Sequence, residues 1–272
     1  MYACTVSPRR SVERAREWSV DSGVRRTRLW KLVAKASERI GFRRRQEGRL
    51  SLESLGLIYG TDKATHIRNG RSYCDIYEDY LRARRGRRFT LLELGVRHGV
   101  SLRMWNAYFR RASVIGLDVD PGAADRAPDF QVYVGSQDDA DLLRRIADEH
   151  PSLEIVVDDA SHMNPLTFAS FETLFPRLPS GGLYIIEDLA PGAYGPDWPG
   201  AEAANVDGAW GTAWPGHEYG PDVSLLDNRQ ADIEAFRNRL AYDCDLGPWD
   251  ESVSGEVAFV HVWPSLLIVG RT

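Results

Sequence analysis

Two short runs carry the densest chemistry in this 272-residue chain: Asp158-Asp159-Ala160-Ser161-His162 and Glu187-Asp188. Each follows an apolar stretch, Ile155-Val156-Val157 in the first case and Tyr184-Ile185-Ile186 in the second, so each reads as the carboxyl end of a buried strand. If those strands are neighbours the carboxylates converge, and clustered carboxylates cannot all stay ionised without a counter-charge. A hard divalent cation supplies one, and all-oxygen ligation points to Mg²⁺ or Mn²⁺. Aspartates at such places also cap helices, but acids paired at two adjacent strand ends favour Asp159, Glu187 and Asp188 as metal ligands. Alternation along a strand sends Asp158 and Asp159 to opposite sides, and Asp159 lies at the very end of its run. His162 follows three residues later; an imidazole with an ordinary pKa of about 6.5 takes a proton at neutral pH and is the candidate general base.

A third strand end reads Leu92-Glu93-Leu94-Gly95-Val96-Arg97-His98-Gly99-Val100-Ser101. Gly95 and Gly99 allow a tight turn and a close backbone approach. A dinucleotide fingerprint places a second glycine where Arg97 stands, and an arginine there crowds a pyrophosphate. Asp118 ends the next strand and is suited to accept ribose hydroxyls. Nicotinamide and S-adenosylmethionine (SAM) enzymes both use such an acid. Glu93, two residues before Gly95, suits a ligand bearing an ammonium and a sulfonium rather than a phosphate, although an ion-pair or capping role fits that position too.

These ends have to be held by strands at Phe89–Leu94, Ser113–Asp118, Phe130–Val134, Leu153–Asp159 and Gly182–Asp188. Helices are predicted between them, at Ser101–Phe109, Asp138–His150 and around Leu166–Phe175. Short apolar strands alternating with amphipathic helices mean a parallel sheet covered on both faces. Glu256–Trp263 and Ser265–Arg271 are joined at Pro264, too short a link for a parallel crossover, so they form an antiparallel hairpin. The expectation is an α/β, Rossmann-like sheet of seven strands, mostly parallel, with a C-terminal antiparallel hairpin and a short N-terminal helical extension. Residues 190–222, rich in Gly and Pro and holding Trp198, Trp210 and Trp214, read as a substrate lid.

Composition sets the outer bounds. With 43 % hydrophobic and 27 % charged residues the chain is ordinary globular protein, which excludes wholesale disorder. No run of 18 apolar residues is present, so no membrane-spanning helix is expected, and the first residues lack the apolar core of a secretory signal. Cys4, Cys74 and Cys244 are few, scattered and without a CxxC pair, which fits a reducing cytoplasm rather than a disulfide framework. The net charge of −5 conceals a polarity: residues 1–50 carry 14 basic and 5 acidic side chains, the remainder 20 and 34. In the basic segment Leu29, Val33, Ala36 and Ile40 share one helical face ringed by arginine and lysine. Such a helix packs on the body or on a second copy, or meets a polyanion or membrane surface. The acidic body argues against a broad nucleic-acid surface.

Strung together in order, several stretches resemble class I SAM-dependent O-methyltransferases of the metal-dependent, sugar-modifying group, typified by enzymes of macrolide deoxysugars. They are Tyr59-Gly60-Thr61-Asp62-Lys63 with His66, LLELGVRHGVSLRMWNAYF, VIGLDVDP, GSQDD, IVVDDASH, SFETLFPRLPSGGLYIIEDL, and His261–Trp263. The resemblance is dense over residues 55–190 and loose over 256–270. It implies SAM and a divalent metal as cofactors, a sugar hydroxyl as acceptor, Asp159, Glu187 and Asp188 as metal ligands, and catalysis by His162 with Asp159. It also implies a cofactor-binding set of Tyr59, Thr61, Lys63, Glu93, Gly95, Ser101, Asp118, Ser136, Gln137, Asp138 and Asp158. Ala160 stands where the family often has glycine, and the Trp-rich insert and basic arm depart from its pattern. Residues 1–50 are read as an extension and 51–272 as the methyltransferase domain, with a homo-oligomer expected and neither nucleic acid nor stable membrane insertion. Two other classes stay open: a metal-dependent hydroxylase-like enzyme on the same scaffold, and a non-catalytic SAM- or nucleic-acid-binding module.

Overall fold

The computed structural model describes residues 50–65, 67–188, 230–246 and 257–272. The predicted helix at 29–40, the basic arm, His66 and the proposed lid at 190–222 lie outside the described residues.

The chain enters through helix α1 (Leu52–Tyr59), started by Ser51, whose hydroxyl accepts from the Ser54 backbone N–H at 3.1 Å, and stopped by Gly60 in the left-handed region. A single 3₁₀ turn, Asp62–Ala64, follows. Two short strands, β1 (Ile67–Arg68) and β2 (Arg71–Ser72), form a hairpin across Asn69 and Gly70. Both turn residues have positive φ, the conformation a tight two-residue hairpin demands. Helix α2 (Tyr73–Leu81) is capped by Ser72.

The body then alternates: β3 (Thr90–Leu94), α3 (Val100–Tyr108), β4 (Ser113–Asp118), α4 (Gly122–Arg126), β5 (Gln131–Val134), α5 (Ala140–Glu149), β6 (Leu153–Asp158), α6 (Asn164–Leu174) and β7 (Leu183–Glu187). Helix α7 (Gln230–Leu246) and the hairpin β8 (Val257–Trp263) and β9 (Leu266–Arg271) complete it. One seven-stranded sheet runs β5-β4-β3-β6-β7-β9-β8; its first five strands pair in parallel and β9 is antiparallel to both neighbours. The expected sheet and C-terminal hairpin are therefore present, with β9 inserted between β7 and β8.

β3, β6 and β7 are buried along their whole length, as central strands under two helical layers must be. On one face Leu91, Ile155, Val157, Ile185 and Ile268 pack with α1, α2 and α3; on the other Leu92, Val156, Ile186 and Val269 pack with α5, α6 and α7. The period of two therefore assigns the strand-end acids. Glu93 and Glu187 follow Leu91 and Ile185 onto the α1–α3 face, whereas Asp158 follows Val156 onto the other. Strand order reverses at β3, so the crevice where open α/β sheets bind ligands lies at the carboxyl ends of β3 and β6.

Candidate active site at the carboxyl edge of the sheet

Gly95 fixes the geometry at that crevice. Its φ is +89°, and a Cβ there would overlap the Asp159 carbonyl oxygen and lie 2.7 Å from its carbon and 2.9 Å from Ala160 Cα. The glycine thus lets the turn after β3 pass directly against the turn after β6, where the Asp159 N–H donates to the Leu94 carbonyl at 2.9 Å. The Gly95–Gly99 turn is pinned from the next strand. Asp118 Oδ2 accepts from the N–H groups of Val96 at 2.8 Å and Arg97 at 2.7 Å, and its Oδ1 accepts from Asp120 at 2.8 Å. A carboxylate offers about four lone-pair sites, so capacity for one further donor such as a hydroxyl remains.

Asp159, His162 and Asp188 come together. Among the described residues they are the group of His, Cys, Asp and Glu side chains close enough to share a metal, their ligand atoms lying within 4.8 Å of one another. His162 Nε2 is 3.9 Å from Asp159 Oδ1. Asp188 Oδ1 accepts from the Tyr73 hydroxyl at 2.7 Å, which also reaches the Ser265 carbonyl at 3.2 Å and so ties the site to the β8–β9 turn. His162 and Asp188 have φ of +56° and +51°, in the left-handed region that is uncommon for residues other than glycine. Two carboxylates fit a divalent cation, with the imidazole placed either to serve as a third ligand or to take a proton from what the cation binds.

Glu187 stands differently from the sequence expectation. It is almost fully buried and forms an ion pair at 2.8 Å with Lys63, which is itself only 2 % exposed. The same ammonium reaches Asp159 Oδ2 in a very short contact and Glu93 Oε1 at 3.4 Å. The counter-charge that the sequence assigned to a metal is thus partly supplied by a lysine. Burial opposes the Lys63 ammonium, but Asp159, Glu187 and Glu93 together hold its pKa well above the usual lysine value. Burial likewise pushes Glu187 well up, against the pull of Lys63, and raises Glu93 to about 7.

The residues expected to contact a cofactor divide into two sets. Ser136 and Asp138 sit at the open end of β5, hydrogen-bonded to each other. Tyr59 is half-buried at the end of α1. Glu93, Lys63, Ser101, Thr61, Gln137 and Asp158 are instead buried. Glu93 Oε2 accepts from Ser101 Oγ at 2.7 Å, with the Trp105 indole N–H beside the carboxylate. Asp158 lies in a polar knot on the α5–α6 face, accepting from Ser170 at 2.7 Å, Tyr184 at 3.1 Å and Gln137 at 3.1 Å, while Gln137 Oε1 accepts from the Ser161 N–H at 2.8 Å. Burial raises Asp158 to about 6 despite these donors. Burial sets Glu93, Lys63 and Asp158 apart from the more open Ser136, Asp138 and Tyr59: strand alternation turns the two acids into opposite helical layers, and the Lys63 ammonium lies within ion-pairing distance of both Glu93 and Glu187. Asp158 and Gln137 support the turn that carries Asp159 and His162. Tyr73 was missed because it reaches Asp188 only through the packing of α2 on the sheet, a contact between residues 115 apart that no spacing announces.

No protein-family model matches the chain. Over 158 residues it is 39 % identical to the 8-demethyl-8-alpha-L-rhamnosyl tetracenomycin-C 2'-O-methyltransferase of Streptomyces olivaceus, covering 55 % of this chain and 40 % of that protein. Over 132 residues it is 40 % identical to the mycinamicin VI 2''-O-methyltransferase of Micromonospora griseorubida, covering 46 % of this chain and 32 % of that one. The methyltransferase MycE, solved in complex with Mg, SAH and mycinamycin VI, superposes with a TM-score of 0.59 at 28 % identity, covering 82 % of this chain and 55 % of that one.

This chain is similar to sugar O-methyltransferases.

It spans about two fifths of the length of the first of these curated relatives. The likeness to MycE extends beyond the stretches matched in sequence, since the superposition covers most of the chain. Among the described residues no helix is long and apolar enough to cross a membrane.

Proposed function

We propose that the chain is a SAM- and divalent-metal-dependent O-methyltransferase that methylates a hydroxyl of a sugar. The observation that carries the reading is the meeting of Asp159, His162 and Asp188 at the sheet's carboxyl edge, beside the Gly95 turn. Support comes from its likeness to sugar O-methyltransferases and from MycE, which was solved with Mg and SAH.

SAM would lie against the Gly95–Gly99 turn, with Asp118, Ser136 and Asp138 on its ribose and base side. Mg²⁺ or Mn²⁺ would be held by Asp159 and Asp188, with Glu187 joining them where Lys63 releases it. When bound, the metal lowers the pKa of an acceptor hydroxyl and orients it. Tyr73 fixes Asp188 by donating to its Oδ1, which leaves the other oxygen available. His162 Nε2 would take the hydroxyl proton as the acceptor oxygen bonds the methyl carbon and the sulfonium S–CH3 bond breaks, the neutral thioether leaving, and Asp159 would steady the imidazolium from 3.9 Å. Glu93 lies behind the Gly95 turn, buried between Lys63 and Ser101, where it would face the cofactor's side of the crevice from within the fold.

Residues 51–272 would form the methyltransferase domain, residues 190–222 its lid over the sugar, and residues 1–50 a helical contact with a second copy. Cysteine usage supports a cytoplasmic location. A second reading, an iron-dependent hydroxylase on this scaffold, draws on the imidazole in the metal group. The usual iron triad, however, has two histidines and one carboxylate, the inverse of this set. Incubation with methyl-labelled SAM, Mg²⁺ and a panel of glycosides tests the proposal. Label in a glycoside O-methyl group supports it; hydroxylation of a glycoside with Fe²⁺ and oxygen, without label transfer, would replace it.

A further inference from the structure

Lys63 sits on the 3₁₀ turn Asp62–Ala64, just after Gly60 ends α1 in the left-handed conformation. Its side chain descends through the α1–α3 layer to the sheet edge and is 2 % exposed. A buried ammonium is strongly unfavourable unless it is paired. This one has three partners drawn from three successive strands or strand ends: Glu93 on β3, Asp159 after β6 and Glu187 on β7. One ammonium does not balance them, because Asp188 adds a fourth carboxylate at the same edge.

The two closest contacts, to Asp159 Oδ2 and Glu187 Oε1, engage carboxylate oxygens that a hard cation at this edge would also seek. The third, to Glu93, is the longest at 3.4 Å, and Glu93, outside the Asp159–His162–Asp188 group, is held on its other oxygen by Ser101. Lysine has a flexible four-carbon stem and no fixed fork, so its head group can redistribute among acceptors a few ångströms apart.

We propose that the Lys63 ammonium is the resident occupant of the cation site: it holds Asp159 and Glu187 together in the metal-free chain and withdraws onto Glu93 when a divalent cation takes their oxygens. This rests on the metal-dependent reading above and goes beyond it in naming the residue that sets metal affinity. It makes Lys63 a positioning residue with an unusual signature. Removing a purely structural ion pair would loosen the ligands and weaken metal binding, whereas removing a competing cation strengthens it, because like charges repel.

The test is titration of the full chain with Mn²⁺, followed by electron paramagnetic resonance, in wild type and Lys63→Met. The expected result is a Kd at least tenfold tighter in Lys63→Met, together with a lower melting temperature in chelator that Mn²⁺ restores. Wild type that binds no Mn²⁺ would sink the metal reading itself. Wild type that binds Mn²⁺ while folded Lys63→Met binds it equally or more weakly would overturn the Lys63 proposal alone. Should Lys63→Met fail to fold, the wild type supplies the answer, because the chain has only three lysines, Lys31, Lys35 and Lys63. With ¹³Cε-labelled lysine and Mg²⁺, the Lys63 signal should move at the midpoint of calorimetric Mg²⁺ binding while the other two stay still. Mg²⁺ binding without movement of that signal would overturn the proposal.

Discussion

Substituting Gly95 by alanine probes how tightly the two turns of the site are built against each other. Two costs are expected, and the structure separates them. A positive φ of +89° disfavours any L-residue by about 1–2 kcal/mol. The new Cβ would also overlap the Asp159 carbonyl oxygen and crowd its carbon at 2.7 Å and Ala160 Cα at 2.9 Å. Those are backbone atoms, so no rotamer change relieves the overlap, and forced repacking of this kind adds about 1–3 kcal/mol. Gly70 and Gly181 supply the controls: their φ values are +83° and +78°, yet a Cβ at either meets nothing within 4 Å. Gly70→Ala and Gly181→Ala should therefore show the conformational cost alone. Gly95→Ala should be less stable than both by a further ~2 kcal/mol, roughly 4–8 °C in Tm for a domain of this size. Thermal and urea unfolding of the three variants in chelator measures this. Because the overlap displaces Asp159, Mn²⁺ affinity should fall in Gly95→Ala and stay unchanged in the two controls. Equal destabilisation of all three, with Mn²⁺ binding intact, would refute the claim that Gly95 sets the position of Asp159.

Two further outcomes follow from the site. His162→Ala should lower turnover by about 10²–10⁴ with SAM binding retained, the usual loss for a general base; near-normal turnover in the folded variant would remove His162 from that role. Asp158 has a folded pKa raised by burial from 3.8 to about 6, so its stabilising contribution is complete below pH 4 and lost as pH rises through 6. Measured by urea unfolding in chelator, the stability of wild type relative to Asp158→Asn should therefore fall by about 2 kcal/mol between pH 4 and pH 7. A difference that stays constant or grows with pH would refute it.

The sheet was legible because its strands are short apolar runs with turn signals between them, and the C-terminal hairpin because a lone Pro264 cannot span a parallel crossover. The hairpin β1–β2 was missed, since two-residue strands carry no periodic pattern, although Asn69-Gly70 is a turn signal in its own right. Asp159, His162 and Asp188 were found from acids at neighbouring strand ends. Which face each acid takes was less accessible. The same alternation that buries Leu91 and Ile185 turns Glu93 and Glu187 toward Lys63, and a lysine 30 residues before Glu93 announces no such contact by spacing. One signal was present: in a chain whose basic residues are almost all arginine, Lys63 is the one lysine outside the N-terminal segment. A compact ammonium, unlike a guanidinium fork, can fit among three converging carboxylates and still be displaced.

The central claim is that the Asp159–Asp188 edge uses a divalent cation to direct a methyl group onto a sugar hydroxyl. Its most direct test is the transfer of label from methyl-labelled SAM to an accepted glycoside, run with Mg²⁺, with EDTA, and with EDTA followed by excess Mg²⁺. O-methylated sugar is expected in the first reaction, none in the second and recovery in the third, with SAM affinity nearly equal throughout. Transfer undiminished by EDTA would contradict it.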